Sequence, residues 1–261
     1  QGTRTAASSG GLELTLPDSA RLILLEDTLL VKTDEFAAVQ RYPLENLSNN
    51  VVWINNGMNG TVYLKTEEEL GERTHGLPDD LALTIGVTGN LAISGPLLYH
   101  SVDLTDDSLK CMLGLLCVYG DFMIAADPDE CDRVDWSTGM GQVWDISTCD
   151  YGKLEIDAVI MVLDGLLQLE NYSAGIYSNS DDWCNPAIDL EIVGGYIIIN
   201  KAHAGWEWTS GVTAGYLTFC TYDPRLMTRH PPFFPQTGVW DVAYWDERPD
   251  MNTDNIGDND I

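Results

Sequence analysis

Val87-Thr88-Gly89-Asn90-Leu91-Ala92-Ile93 returns 31 residues later as Val118-Tyr119-Gly120-Asp121-Phe122-Met123-Ile124. Each copy is an apolar alternation, a glycine, and more apolar alternation. The same unit occurs as Asn59-Gly60-Thr61-Val62-Tyr63-Leu64 and as Val162-Leu163-Asp164-Gly165-Leu166-Leu167-Gln168-Leu169. It occurs once more as Ile192-Val193-Gly194-Gly195-Tyr196-Ile197-Ile198-Ile199. The central glycines Gly60, Gly89, Gly120, Gly165 and Gly195 are spaced by 29, 31, 45 and 30 residues. The long interval contains the acidic stretch from Asp127 to Asp150, and an insertion there restores the period. A period near 30, built from short strands and glycine turns, predicts one coil of a β-solenoid per unit. A single coil cannot bury its apolar face alone, whereas stacked coils share a core. Alternation puts Leu91 and Ile93, or Phe122 and Ile124, on one face. A β-sandwich with evenly spaced strands is the competing arrangement.

The flanks differ from this middle. Residues 1–10 are small and polar and read as an extended arm. Leu12–Leu16 and Arg21–Leu25 read as strands around a turn at Pro17-Asp18. Asp34–Gln40 reads as a short helix that starts at an Asp cap. Residues 204–250 are rich in Trp, Tyr and Pro and suit an end cap. The predicted fold is therefore all-β, a β-solenoid (β-helix) with an N-terminal extended arm and an aromatic C-terminal cap. Its parts are the arm and first strands (1–50), the repeats (51–203, with an insertion at 127–152), and the cap with an acidic tail (204–261).

Composition limits the partners. The 261 residues carry 41 acids against 13 Lys and Arg, a net charge of −28. Nucleic acid and anionic membranes would be repelled. The balance favours divalent cations and a salty or extracellular setting. No apolar run approaches the ~18–20 residues that span a bilayer, and no signal peptide stands at the front. A start at Gln1 reads as a processed one, so the expected location is secreted, at the cell surface.

Six cysteines form no CxxC, and four histidines are scattered, which disfavours zinc. Cys131 and Cys149 bracket a polar segment and are the predicted disulfide, since loop closure helps most where apolar anchors are few. Cys111 and Cys117 lie in an apolar stretch and suit buried thiols or disulfides equally. Oxygen side chains recur at Asp250, Asn252, Asp254, Asp258 and Asp260, around Gly257. Calcium takes six to eight oxygens, which alternate residues of a turning loop can supply, so calcium is the expected cofactor. A solvated acidic tail is the plainer reading. Asp127, Asp129, Asp132 and Asp135 form a weaker cation candidate.

No GxSxG, HExxH, P-loop or GxGxxG occurs. The pairs Asp79-Asp80, Asp106-Asp107 and Asp181-Asp182 could serve glycoside chemistry only if they faced a cleft, and loop solubility accounts for them. Trp206, Trp208, Trp240, Tyr244 and Trp245 suit a core cap or subunit contact better than a sugar platform. Three sequons, at Asn46, Asn59 and Asn171, matter only in a glycosylating host. No catalytic residue is assigned, and an enzyme is not expected.

An ordered set of motifs carries a family resemblance across roughly residues 50–245. It runs through Met112-Leu113-Gly114-Leu115-Leu116, Gly120-Asp121-Phe122-Met123-Ile124 and Leu154-Glu155-Ile156-Asp157-Ala158-Val159-Ile160. It continues in Glu170-Asn171-Tyr172, Tyr222-Asp223-Pro224-Arg225-Leu226 and Pro231-Pro232-Phe233-Phe234-Pro235-Gln236-Thr237-Gly238. The chain resembles bacterial surface proteins labelled PilX-like or type IV pilus assembly proteins. The resemblance implies a secreted, β-helical, non-enzymatic surface protein. Two departures are the missing N-terminal membrane helix and Asn200-Lys201-Ala202-His203, where that family usually has Gln-Lys. The C-terminal tail resembles thrombospondin-type calcium repeats.

The expected function is a structural subunit of a secreted extracellular filament, whose partners are copies of itself joined by strand addition or solenoid stacking. The alternatives are a monomeric surface adhesin or pilus-associated protein, with a surface polysaccharide as its partner, and a carbohydrate-active β-helix enzyme.

Overall fold

A computed structural model describes residues 2–17, 20–33, 39–66, 76–101, 108–125, 133–135, 142–144, 153–169, 188–198, 200, 202–203, 205–208 and 211–235. The chain opens with a helix, α1 (Gly2–Ser8), followed by β1 (Leu12–Thr15), β2 (Ala20–Leu24), β3 (Thr28–Lys32) and β4 (Gln40–Pro43). Next come β5 (Val51–Asn55), β6 (Thr61–Thr66), β7 (Ala82–Val87), β8 (Asn90–Ile93), β9 (Met112–Cys117) and β10 (Phe122–Ile124). The rest are β11 (Arg133–Asp135), β12 (Gln142–Trp144), β13 (Lys153–Val162), β14 (Leu167–Leu169), β15 (Ile188–Ile198), β16 (Ala202–His203), β17 (Gly205–Trp208) and β18 (Gly211–Tyr222).

Two sheets of eight strands face each other, and β11 and β12 form a separate antiparallel pair. The first sheet runs β1-β5-β7-β9-β13-β15-β18-β17 and the second β16-β14-β10-β8-β6-β2-β3-β4. From β5 to β10 and from β13 to β16, consecutive strands alternate between the sheets. Their neighbours within each sheet are parallel and in register; Val62 pairs with Leu91, and Leu91 with Phe122. Short corners carry the chain from the first sheet to the second. Long crossovers bring it back, as parallel pairing demands.

This arrangement corrects the fold read from the sequence. The chain does not form a closed all-β solenoid with an extended arm. It forms a mixed, mostly parallel two-sheet structure with a helix. Three features overturn the earlier reading. Residues 2–8 are helical and bury Ala6 and Ala7 against the first sheet. Hairpins β2-β3-β4 and β17-β18 are antiparallel. Strand lengths run from 2 residues in β16 to 12 in β18, so the windings are not equivalent. Glycine spacing reports the short corners alone; it carries no information on crossovers or pair direction. The helix expected over Asp34–Gln40 ends on strand β4 at Gln40, and residues 34–38 lie outside the described ones. β17 and β18 occupy part of the expected aromatic cap, and residues 236–250 are likewise outside.

The main core lies between the sheets. The first sheet contributes Val52, Ile54, Leu83, Ile85, Leu113, Leu115, Ile156, Ile160 and Ile192; the second contributes Leu22, Val62, Leu64, Leu91, Ile93, Phe122 and Ile124. The first sheet is also covered on its outer face, by α1 and by Phe234, over Val51, Trp53, Leu116, Val159 and Met161. That explains the unbroken burial of β9, while β6 alternates because its other face meets water.

The corners are stacked. A Cβ at Gly89 would sit 2.6 Å from the Gly60 carbonyl oxygen, and one at Gly120 would run into the backbone of Gly89 and Asn90. Only glycine lets these backbones approach so closely. The residue after the glycine then bonds to the next corner. Asn90 Oδ1 accepts from Asp121 N–H at 2.8 Å, and Asp121 Oδ1 accepts from Leu166 N–H at 2.8 Å. Gln168 Nε2 donates to Asp121 Oδ2 at 2.6 Å, and Asn56 Oδ1 accepts from Gly89 N–H at 2.8 Å. Gly195 does not join the stack; a Cβ there would meet only the Leu226 side chain, at 3.6 Å.

Gly120→Ala is therefore expected to cost about 1–3 kcal/mol through overpacking. Asp121→Ala should cost about the same by stranding Leu166 N–H and the Gln168 amide. Urea unfolding reads both as lowered midpoints. Gly2→Ala, with nothing within 4 Å of the added carbon, should leave the midpoint in place.

Candidate functional site

The outer face of the first sheet is covered unevenly. α1 lies over its β1 and β5 end, and Pro231 and Phe234 sit over Gly114 of β9. Among the described residues, a groove of about 730 Å³ runs beyond them, between β15, β18 and the segment from Leu226 to Pro235. Tyr196, Ile197, Cys220, Tyr222 and Met227 line it, and all five are exposed. Tyr222 is 57% exposed and Met227 80%, which makes this an apolar, aromatic surface on a chain with net charge −28.

A buried ion pair fixes the wall of the groove. Asp223 caps a 3-10 turn, Pro224–Met227, accepting at Oδ1 from the Arg225 backbone N–H at 2.9 Å. The Arg225 guanidinium donates from Nε to Oδ1 at 3.0 Å and from Nη2 to Oδ2 at 2.8 Å, with both side chains 1% exposed. Its Nη1 donates to Cys111 Sγ at 3.4 Å, and its Cζ lies 5.3 Å from the centre of the Tyr99 ring. Tyr99 in turn accepts at its hydroxyl from Leu113 N–H at 3.0 Å, and its own N–H donates to Asp157 Oδ2 at 2.8 Å. The turn is thus anchored to β9 and β13. Burial alone would lower the Arg225 pKa, but the Asp223 carboxylate outweighs it and holds the guanidinium charged. Burial pushes the Tyr99 hydroxyl far up, so it stays protonated.

Thr228, Arg229 and His230 follow the turn and divide the groove from a second cleft of about 680 Å³. Ala82, Ser108, Lys110 and Met112 form its other side. Arg229 Nη1 donates to the Leu109 carbonyl at 2.8 Å and ties the two sides together.

Most of the residues singled out from the sequence fall outside the described ones. Asp250, Asn252, Asp254, Asp258 and Asp260 fall outside the described residues, as do Cys131 and Cys149. So do Asp106-Asp107, Asp181-Asp182, Asp127, Asp129, Asp132, Trp240, Tyr244 and Trp245. Asp135 ends β11, and Trp206 and Trp208 lie on β17. Asp79-Asp80 sits in the turn before β7, with Asp79 Oδ1 buried and without a hydrogen-bond partner. Among the described residues, no three His, Cys, Asp or Glu side chains gather as a metal site. Cys111 and Cys117 are buried free thiols, and Cys220 is an exposed one. The Asp223–Arg225 pair was missed, although Asp-Pro ahead of an apolar residue is a capping signal.

Searches against family models, curated proteins and solved structures find no match to this chain.

Two outcomes follow. Arg225→Ala leaves Asp223 buried and uncompensated, and should cost about 3–5 kcal/mol in urea unfolding. Arg225→Lys should not restore the loss, because an ammonium cannot make the forked contact. Burial pushes the Cys117 thiol up to about 12 and raises Cys111 and Cys220 as well. Thiol labelling of the native protein at about pH 8, mapped by peptide mass, should therefore mark Cys220 and spare Cys111 and Cys117 until urea unfolds the chain.

Proposed function

We propose that this chain is a non-catalytic extracellular structural subunit that joins copies of itself end to end by continuing the first sheet. The carrying observation is that this sheet has two open ends of unlike character. Among the described residues, nothing pairs with the outer edge of β1 or of β17, and each of these strands is four residues long. β17 runs antiparallel to β18, whose direction matches β1 through the parallel ladder, so a β17–β1 joint between copies is antiparallel. Such a contact is heterologous and propagates into a fibre when it does not close into a ring.

The outer layer agrees with this joint. At the β1 end the layer is filled by α1, and at the β18 end it is the open groove. A copy added at β17 brings its own α1 alongside Tyr196, Ile197 and Tyr222. The resemblance to pilus-associated surface proteins supports the same reading. A net charge of −28 opposes it at low ionic strength, so salt or divalent cations must screen the joint. The calcium proposed at Asp250, Asn252, Asp254, Asp258 and Asp260 would serve that screening. A monomeric adhesin is the second reading, favoured by the exposed rings of Tyr196 and Tyr222.

Light scattering and negative-stain microscopy over rising salt and calcium test this. The wild type should lengthen into fibres as screening increases. Tyr222→Asp should remain dispersed while unfolding at an unchanged urea midpoint. Single particles of wild type under every condition would favour the adhesin.

A further inference from the structure

We propose that Asn59 is a site of self-modification, where its side-chain amide is lost to the next backbone nitrogen and the residue becomes aspartate or isoaspartate. The stacked corners each set a wholly or partly exposed residue immediately before a buried glycine. The pairs are Asn59-Gly60, Thr88-Gly89, Tyr119-Gly120 and Asp164-Gly165. Stacking demands the glycine, because a Cβ at any of the four would strike a neighbouring backbone atom. The same missing side chain leaves the glycine nitrogen unscreened toward the residue before it. Reaction then depends on that residue. Attack on its Cγ closes a five-membered ring only where Cγ is a carbonyl carbon. Thr88 and Tyr119 offer none. Asp164 offers a carboxylate, which is a poor acceptor for such attack, whereas Asn59 offers an amide.

The bond that forms joins the Gly60 nitrogen to Asn59 Cγ. The bond that breaks is Cγ–Nδ2, and ammonia leaves with the proton that the Gly60 nitrogen gives up. One solvent water then opens the succinimide at either carbonyl, and nothing is oxidised or reduced. Asn56-Gly57, in the same corner, is the internal comparison. Asn56 is 6% exposed, and its Nδ2 donates to the Gly60 and Asn90 carbonyls at 2.7 and 3.3 Å. Its Oδ1 accepts from Gly89 N–H at 2.8 Å. These bonds keep its amide from turning onto the Gly57 nitrogen, whose N–H donates to Asn55 Oδ1 at 3.4 Å. Asn59 is exposed, and among the described residues no hydrogen bond holds its amide. Isoaspartate at 59 adds a methylene to the main chain and a negative charge to the net −28. It displaces the Gly60 carbonyl, which accepts from Asn90 N–H at 2.8 Å, and so loosens the corner between β5 and β6.

Native protein incubated in mildly alkaline heavy-oxygen water tests this. Peptide mass mapping locates each new carboxylate, and isoaspartyl methyltransferase counts the isoaspartate. Asn59 should take up label, and Asn56 should do so at least about tenfold more slowly, since it reacts only when the corner opens. In urea the two sites should react at similar rates. Labelling of native Asn59 no faster than that of Asn90, which precedes leucine, overturns the inference. Labelling of native Asn56 as fast as Asn59 overturns it too. Asn59→Ser should keep its urea midpoint through the incubation, while the wild-type midpoint falls in step with isoaspartate at 59. An equal fall in both proteins would refute the loosening of the corner.

Discussion

The close approach of successive glycine corners is the constraint on which the rest of the structure depends. Gly60, Gly89, Gly120 and Gly165 lie backbone on backbone where the chain passes from one sheet to the other. That contact fixes the spacing and register of both sheets at once, because each corner joins a strand of the first to a strand of the second. Polar side chains then lock corner to corner, from Asn56 to Gly89, Asn90 to Asp121 and Asp121 to Leu166. Cys117 completes this region by placing its thiol 3.0 Å from the Gly89 carbonyl. A side chain larger than hydrogen at a corner separates two corners and so disturbs four strands.

Consequences reach the surface through the first sheet. Its inner face is consumed by the core, so its outer face needs a second layer. Small residues make that layer possible: Ala6 and Ala7 let α1 lie close, and Gly114 admits Phe234. Among the described residues this layer reaches β15 through Leu226, which lies over Gly195, and the Asp223–Arg225 pair pins the turn from Pro224 to Met227 that carries it. The apolar groove and the basic cleft are the two spaces left on either side of that pinned segment. Among the described residues, apolar and hydroxyl side chains line much of both spaces.

Much of the strand content was legible in the sequence. Alternation at Val62-Tyr63-Leu64 and Leu91-Ala92-Ile93 placed strands where β6 and β8 lie, and Leu12–Leu16 and Arg21–Leu25 foreshadowed β1 and β2. The way the strands are joined was not legible. A glycine spacing of about 30 is compatible with several two-sheet connectivities. The antiparallel turn after β2 uses Glu26 and Asp27, which carry no glycine signal. Residues 2–8 looked too polar for ordered structure, yet α1 needs only two alanines facing Trp53 and its neighbours. The site was less legible still. Its residues come from β9, β15, β18 and the turn at 224–227, and nothing in one dimension shows that Lys110 and Arg229 share a cleft. The runs of acids that stand out in one dimension are common in a chain with 41 Asp and Glu residues.

Amide hydrogen exchange followed by NMR bears most directly on the stacked corners. The N–H groups of Gly89, Asp121 and Leu166 are withheld from exchange with solvent while they donate to the side-chain oxygens of Asn56, Asn90 and Asp121. All three should exchange as slowly as the central strands, and Asn90→Ala should release Asp121 well before the strands on either side. Exchange of these three amides at the rate of an open turn, in a protein whose strands remain protected, would show that the corners do not stack and that the account is wrong.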